Sequence, residues 1–587
     1  MNVFLPIVFL FCFLSAVRAE HWALERAEDA LVVRGHAKSG PGAVGQALLL
    51  DGESLVELKG SAGLSAEAFT LSLWFNPYEL TGGQQVLAGK NRYSLKQREW
   101  SLTIETDGHL KAHIHQGTWY TISCSEPLQT GAWHQATLSV DTNRAVLFLN
   151  GKRAGEVKLK APVAATDAPV TLGGVWDAHA VRQPFFGALD EFEYLPRALE
   201  ADEVAAAYHP VSATHVVPQQ AQAGAPLWDA RYPLPKATEL TQVKGVQFHV
   251  IKKPRPDDDG CRWTLGVGLA WHKGKLYASY GYNQGEENTP TEEAHVRSSG
   301  DGGKTWGRTV VMDAGEGDLG VSHGVFLSHG GHLWAFMGAF HADAKPYHRV
   351  HTRAYLLNEA SGRWEARGPV VEEGFWPMQE PLKMAAGNWI MSGLRIKGTS
   401  GVEGTFPAVA ISHGDDFTQW KMISIPVAPN LGSIWGESTV LVEDKRIVNI
   451  SRYGRRARAL LSISEDNGHT WTPSTISNLP MATSKPYAGI LSTGQRFLIC
   501  TTTADTGGAR SPLTIAVSKP GESVFSKVFL IRRSVFPEGP GVSGEKVDFS
   551  YPYAVEHEGN LYIGYTHKSH AANELAILPV ASLHTGP

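Results

Sequence analysis

Two octapeptides, "SGDGGKTW" at Ser299–Trp306 and "SEDNGHTW" at Ser464–Trp471, are copies of one figure, S-x-D-x-G-x-T-W. The aspartate offers a carboxylate to turn amides, the glycine supplies the positive φ of a tight turn, and the tryptophan is large enough to fill a gap against a neighbouring sheet. Weaker copies follow at Ser412–Trp420, "SHGDDFTQW", and at Asn358–Trp364, "NEASGRW". The figure reads as a structural staple, and its aspartates are not candidate catalysts.

Around these staples a larger unit repeats. "GLAWHKGKLYASY", "GVFLSHGGHLWAFM", "EPLKMAAGNWIMSGL", "ESTVLVEDKRIVNIS", "YAGILSTGQRFLICT" and "YAVEHEGNLYIGYT" each read as strand, tight turn and strand. Their turn residues, Gly274, Gly331, Gly387, Asp444, Gly494 and Gly559, step by roughly 50 to 65 residues. A single blade of this kind cannot bury both faces until neighbours stack on it, so six repeats predict a six-bladed β-propeller over 246–587.

Upstream, residues 20–209 alternate apolar and polar side chains in short runs bounded by Asp-Gly, Asn-Gly and Gly-Gly, as in "FTLSLWFNPY" and "AVLFLNGKRAGEV". Period-two alternation with such turns predicts an all-β sandwich, with a helix only near "EADEVAAAY". Residues 210–245, rich in Pro, Ala and Gln, read as a linker laid over a neighbouring surface.

Composition narrows the function. Charged residues make up 19% of the 587 and the formal net charge is −5, so neither a global basic field for nucleic acid nor an acidic tail is present. The opening "MNVFLPIVFLFCFLSAVRAE" reads as a signal peptide ending near Ala19, too short to span a membrane, which predicts a secreted or periplasmic protein with no membrane partner after cleavage. Once Cys12 leaves with it, Cys124, Cys261 and Cys500 have neither disulfide-framework nor metal-ligand spacing.

Two resemblances sharpen this. "GQALLLDG" at Gly45–Gly52, "FTLSLWF" at Phe69–Phe75, "LFLNGK" at Leu147–Lys152 and "FFGALDEFEYLPRAL" at Phe185–Leu199 resemble the laminin-G-like, concanavalin-A-like jelly-roll family. That resemblance implies a glycan-binding module and, at most, a structural calcium near Asp51 and Asp190. The alternative is that these aspartates cap backbone amides. No other cofactor is expected.

The Asp-box hairpins on a six-bladed propeller resemble the sialidase superfamily, which implies a pocket on the central axis and three arginines gripping a sugar carboxylate. Planar guanidinium forks suit a carboxylate better than lysine does. Blade by blade the resemblance supplies Arg262 in "CRWTLGVG", where Trp-Thr replaces the family's Ile-Pro, then Glu437 and Arg452 in "WGESTVLVEDKRIVNISRYG", and Arg510 in "GGARSPLTIAVS". The family's nucleophile is a tyrosine activated by the glutamate. In "DFSYPYAVEHEG" the natural alignment puts Phe549 there, with Tyr551 two residues on, at a position that shares a face with Phe549 in a regular strand. The acid/base would come from the loop "GYNQGEENTPTEEAHV", which holds Glu286, Glu287, Glu292 and Glu293 in place of the family's aspartate; Glu287 is the representative choice.

Further polar residues stand where inner strands open onto the axis: His323 in "GVSHGVF", Glu380 in "PMQEPL", and Lys485 and Tyr487 in "TSKPYAG". A His or Tyr base facing such groups would also suit β-elimination from a uronate. Three readings stay open: an exo-acting, sialidase-like glycoside hydrolase using Glu437, Tyr551 and a loop glutamate; a lyase or other glycosidase using His323 or Tyr551; and a glycan-binding protein without catalysis. In each the partner is a glycan or polysaccharide, and the chain is expected to be a monomer.

Overall fold

The computed structural model describes residues 19–25, 31–35, 37–52, 54–80, 84–105, 108–178, 180–211, 226–342, 347–372, 374–397, 404–428, 431, 434–454, 456–506, 508–533, 548–567 and 572–585. The apolar leader through residue 18 and the segment 212–225 lie outside these. No helix among the described residues is long and apolar enough to cross a membrane. The described residues up to 211 form one compact unit and those from 226 onward a second.

The first unit is a sandwich of two antiparallel sheets, as the alternation predicts. In Phe69–Pro77, the side chains of Phe69, Leu71, Leu73 and Phe75 are each at most 2% exposed and pack with Leu102, Ile114 and Leu147 of neighbouring strands. The helix Ala201–Ala207 starts from a capping box in which Glu200 and Glu203 each bond the other's backbone amide. Asp190, fully buried, accepts hydrogen bonds from the amides of Val44 and Glu191, both at 3.0 Å, and burial pushes its carboxyl up to about 7. Asp51 accepts from the hydroxyl of Ser54. Both aspartates thus serve turns, and no group of three or more His, Cys, Asp or Glu side chains able to hold a metal occurs among the described residues.

The second unit is the propeller, six sheets of four or five strands, antiparallel except where Thr241–Gln242 joins blade five in parallel. The first strands of its blades are Trp263–His272, Leu319–His329, Phe375–Pro377 with Leu382–Lys383, Ser438–Glu443, Tyr487–Ile490 and Phe549–His557. The last blade takes its outer strand from the unit's beginning: Gln247–Lys252 pairs antiparallel with Ala572–Pro579. Part of the segment read as linker belongs to this unit too. Thr241–Gln242 pairs with Phe525–Arg532 of blade five, and Leu227 and Trp228, 1% and 4% exposed, are buried in the core of that blade.

The staples are built as their sequence suggests. In the first, Asp301 accepts from the Thr305 amide at 2.9 Å, the Thr305 hydroxyl at 2.6 Å and the Ser299 hydroxyl at 2.7 Å. The second repeats this at Asp466 with 2.8, 2.7 and 2.8 Å. These donors hold both carboxyls well below the ordinary range. Gly303, at φ +85°, lets the turn sit on blade six, where an added Cβ would fall 2.3 Å from Leu575.

One irregularity recurs and positions the site. Blades one, two and six each carry an extra residue in the first strand, between Leu265 and Gly268, Val321 and Gly324, and Ser550 and Tyr553. Such a bulge bends the strand and re-aims the side chains within it.

Candidate active site

Glu437, just before the first strand of blade four, and Arg452, at the end of the second, face each other. The Arg452 amide bonds the Glu437 carbonyl at 2.9 Å, one rung beyond the Ser438–Ser451 pair, which brings the two side chains together. Arg452 Nη1 donates to Glu437 Oε2 at 2.6 Å, and the guanidinium lies 4.7 Å from the centre of the Trp435 ring. Burial alone would raise the Glu437 carboxyl, but the charges of Arg452 and Arg510 and its hydrogen bonds bring it below the usual value. Glu437 is therefore an anion in a water-poor setting.

Its other oxygen, Oε1, accepts the hydroxyl of Tyr551. Tyr551 reaches it from blade six because it occupies the bulge there at φ 54°, in the left-handed region. The expectation that Phe549 and Tyr551 share a face is corrected here. Phe549 is buried against Tyr565 and His567, at 5.7 and 5.4 Å between ring centres, while the bulge turns Tyr551 to Glu437. Burial first, and then the neighbouring carboxylate, push the Tyr551 phenol well above its ordinary value, so it is protonated when it meets Glu437.

The bulge in blade two presents His323, 7% exposed, edge-on to the Tyr551 ring at 5.2 Å. Its Nδ1 pairs with the Ser322 hydroxyl at 3.1 Å, and its Nε2 is buried with no partner among the described residues. Burial, with the Lys485 charge behind it, lowers the imidazole to about 3, so the ring is neutral. Gly266, in the bulge of blade one, makes room for it: at φ +69° an added Cβ would stand 2.3 Å from His323 Cγ.

Tyr551, Glu437 and His323 line one cleft with Glu287, Asn288, Glu292 and Ser322, walled by Trp263, Tyr347, Trp376 and Trp435. Of the four acidic residues in the blade-one loop, Glu292 is the buried one, at 1% exposure. Oε2 accepts the Asn288 amide at 3.0 Å, and burial raises the carboxyl to about 8. Glu287 is half-buried in the same cleft, and its charge reaches Tyr551. Glu292 thus has the protonation state a general acid requires, which the sequence did not distinguish from its three neighbours.

The three arginines part company. Arg510 donates to the Ser550 hydroxyl at 3.0 Å and the Thr483 carbonyl at 3.1 Å, and its charge acts on Glu437. Arg452 keeps a buried Nε with no partner among the described residues. Arg262 is exposed, and its neighbours Trp263 and Leu265 line the cleft in its place. Glu380 and Tyr487 lie apart as well, bonding each other at 2.8 Å in a second cavity that shares no residue with the cleft. Lys485 is buried and donates to the Pro552 carbonyl at 2.7 Å.

No curated protein matches this chain. Among solved structures, the NanB sialidase from Streptococcus pneumoniae is 11% identical, with 91% of this chain and 98% of that one covered and a TM-score of 0.43. A leech intramolecular trans-sialidase is 11% identical, covering 94% and 98% at 0.41. A Hadza microbial sialidase is 13% identical, covering 97% and 100% at 0.46. At such scores these remain similarities, and what the cleft can do follows from its own residues. The family comparisons agree with both modules read from the sequence: residues 50–205 match the model of the concanavalin A-like lectin/glucanases superfamily, and residues 274–563 match that of the BNR repeat-like domain.

Proposed function

We propose that this protein is an exported, exo-acting glycoside hydrolase that removes a terminal acidic sugar with retention of configuration. The observation that carries the reading is the Tyr551 hydroxyl bonded to a Glu437 whose other oxygen is held by Arg452. In the first step the Tyr551 oxygen bonds to the anomeric carbon and its proton passes to Glu437. Glu292, protonated at neutral pH, gives its proton to the glycosidic oxygen, and the aglycone leaves. In the second step the Glu292 carboxylate takes a proton from a water that attacks the same carbon. Tyr551 is released and recovers its proton from Glu437.

An anionic sugar is favoured by local charge. The charges of Arg452 and Arg510 both act on the Glu437 carboxylate, and the unpartnered Arg452 Nε is a donor awaiting an acceptor. The neutral His323, with Nε2 open, suits a sugar hydroxyl. The same Nε2 also favours a second reading, in which His323 removes a proton from a uronate and elimination follows.

The test is turnover of aryl sialosides, aryl uronides and neutral aryl glycosides, with an analogue of any sugar accepted that carries fluorine on the carbon next to the anomeric one used to trap the intermediate. The proposal expects a covalent adduct on Tyr551 and losses of about 10³-fold or more in Y551F and E437Q. An unsaturated uronate product without an adduct would replace it by elimination, and binding without turnover by any of the substrates would replace both.

A further inference from the structure

The sequence places Lys485 among the substrate ligands, yet its amino group is engaged within the protein. It is 4% exposed, and Nζ donates to the Pro552 carbonyl at 2.7 Å. Two residues on, the Tyr487 hydroxyl donates to the Ala554 carbonyl at 2.6 Å, and its ring stacks obliquely on Tyr553 at 4.8 Å. Alternate carbonyls of a strand point the same way, as do alternate side chains, so blade five grips the first strand of blade six at two successive rungs.

Arg510 of blade five fastens the same strand from its other end. Its carbonyl accepts the Phe549 amide at 2.9 Å, and its Nη1 donates to the Ser550 hydroxyl at 3.0 Å. These four attachments bracket Tyr551. A residue with a Cβ in the left-handed region is strained and persists only where the surroundings hold it. Pro552, the second residue of the bulge, has no N–H, so its carbonyl is the one backbone group through which it can be fastened by a hydrogen bond.

We infer that Lys485 is a positioning residue: by holding the Pro552 carbonyl it fixes the left-handed turn that delivers the Tyr551 phenol to Glu437. Tyr487 is the second rung of the same clamp. Its hydroxyl bonds the Ala554 carbonyl at 2.6 Å and also meets the Glu380 carboxyl at 2.8 Å. The blade-five segment 485–487 thus sets the nucleophile without touching the sugar. Only the kinetic consequence of this inference rests on the hydrolase reading above; its geometry does not.

The experiment compares K485M, K485R and Y487F in the full chain by steady-state kinetics and by amide exchange over residues 548–557. K485M keeps the aliphatic length and removes the donor. Because a misplacement of about 1 Å costs about 10²-fold, kcat should fall by that order with KM unchanged, and K485R, which keeps a donor, should recover most of it. Exchange over 548–557 should rise in K485M and Y487F and stay unchanged in the other blades. A raised KM with kcat preserved would make Lys485 a substrate ligand and overturn the inference, as would unchanged exchange in both variants. Should no saccharide be turned over, the hydrolase reading fails by itself and the exchange measurement still decides the clamp. Should K485M not fold, the Y487F exchange and the K485R kinetics decide it.

Discussion

Replacing Glu292 by Gln tests the cleft without knowledge of the substrate. Glutamine keeps the size and hydrogen-bonding reach of the side chain and removes its ionisation. The carboxyl ionises near 4.5 in an unfolded chain and near 8 in the buried site. Between these values the folded protein holds a proton that the unfolded chain has released, so stability falls as pH rises and the full penalty is reached above about 8. At about 1.4 kcal/mol per pH unit, the penalty carried by the wild type is on the order of 5 kcal/mol, and E292Q escapes it. Thermal unfolding of the two proteins in matched buffers should therefore give coincident midpoints near pH 4 and a gap of several degrees in favour of E292Q near pH 9. The alkaline limb of turnover should follow the same ionisation, because the general acid is lost as Glu292 deprotonates. Midpoints that run parallel across the range would show that Glu292 ionises as an exposed carboxyl does, and would remove it from the acid/base role.

Two further substitutions separate scaffold from chemistry. D301A removes the carboxylate that gathers three donors in the first staple, and should lower the unfolding midpoint while leaving kcat and KM of the wild type intact; a loss of kcat at full folding would contradict the structural reading of that motif. Arg532 and Glu574 form an ion pair with both side chains fully buried, so R532M should cost about 3–5 kcal/mol by stranding the glutamate, and R532M/E574M should recover most of that, both read from urea midpoints.

The architecture was legible because it repeats. Six strand-turn-strand anchors and two staples each state the same local requirement, and agreement among copies outweighs the ambiguity of any one. Glu437 and Arg452 were legible for a similar reason: they sit at facing ends of two strands joined by a tight turn, so their sequence spacing carries their proximity. Tyr551 was only half legible, since one extra residue in a strand inverts every side chain beyond it and nothing in "DFSYPYAV" says where the ladder slips. Glu292 could not be chosen over Glu287 because burial, not residue type, separates them. Lys485 misled for a plainer reason. A cation at the start of an inner strand looks like a ligand for an anion, and its acceptor is a backbone carbonyl in the next blade, which leaves no mark on the sequence. The tryptophans of the cleft wall come from separate blades and share no motif.

The pairing of Gln247–Lys252 with Ala572–Pro579 has a consequence for assembly. The ring cannot shut before Ala572–Pro579 has joined it, because the sheet that carries Tyr551 lacks its third strand until then. Tyr551 and Glu437 are thus brought together only once that strand is in place, and a chain lacking it, whatever it exposes, has no closed cleft between them.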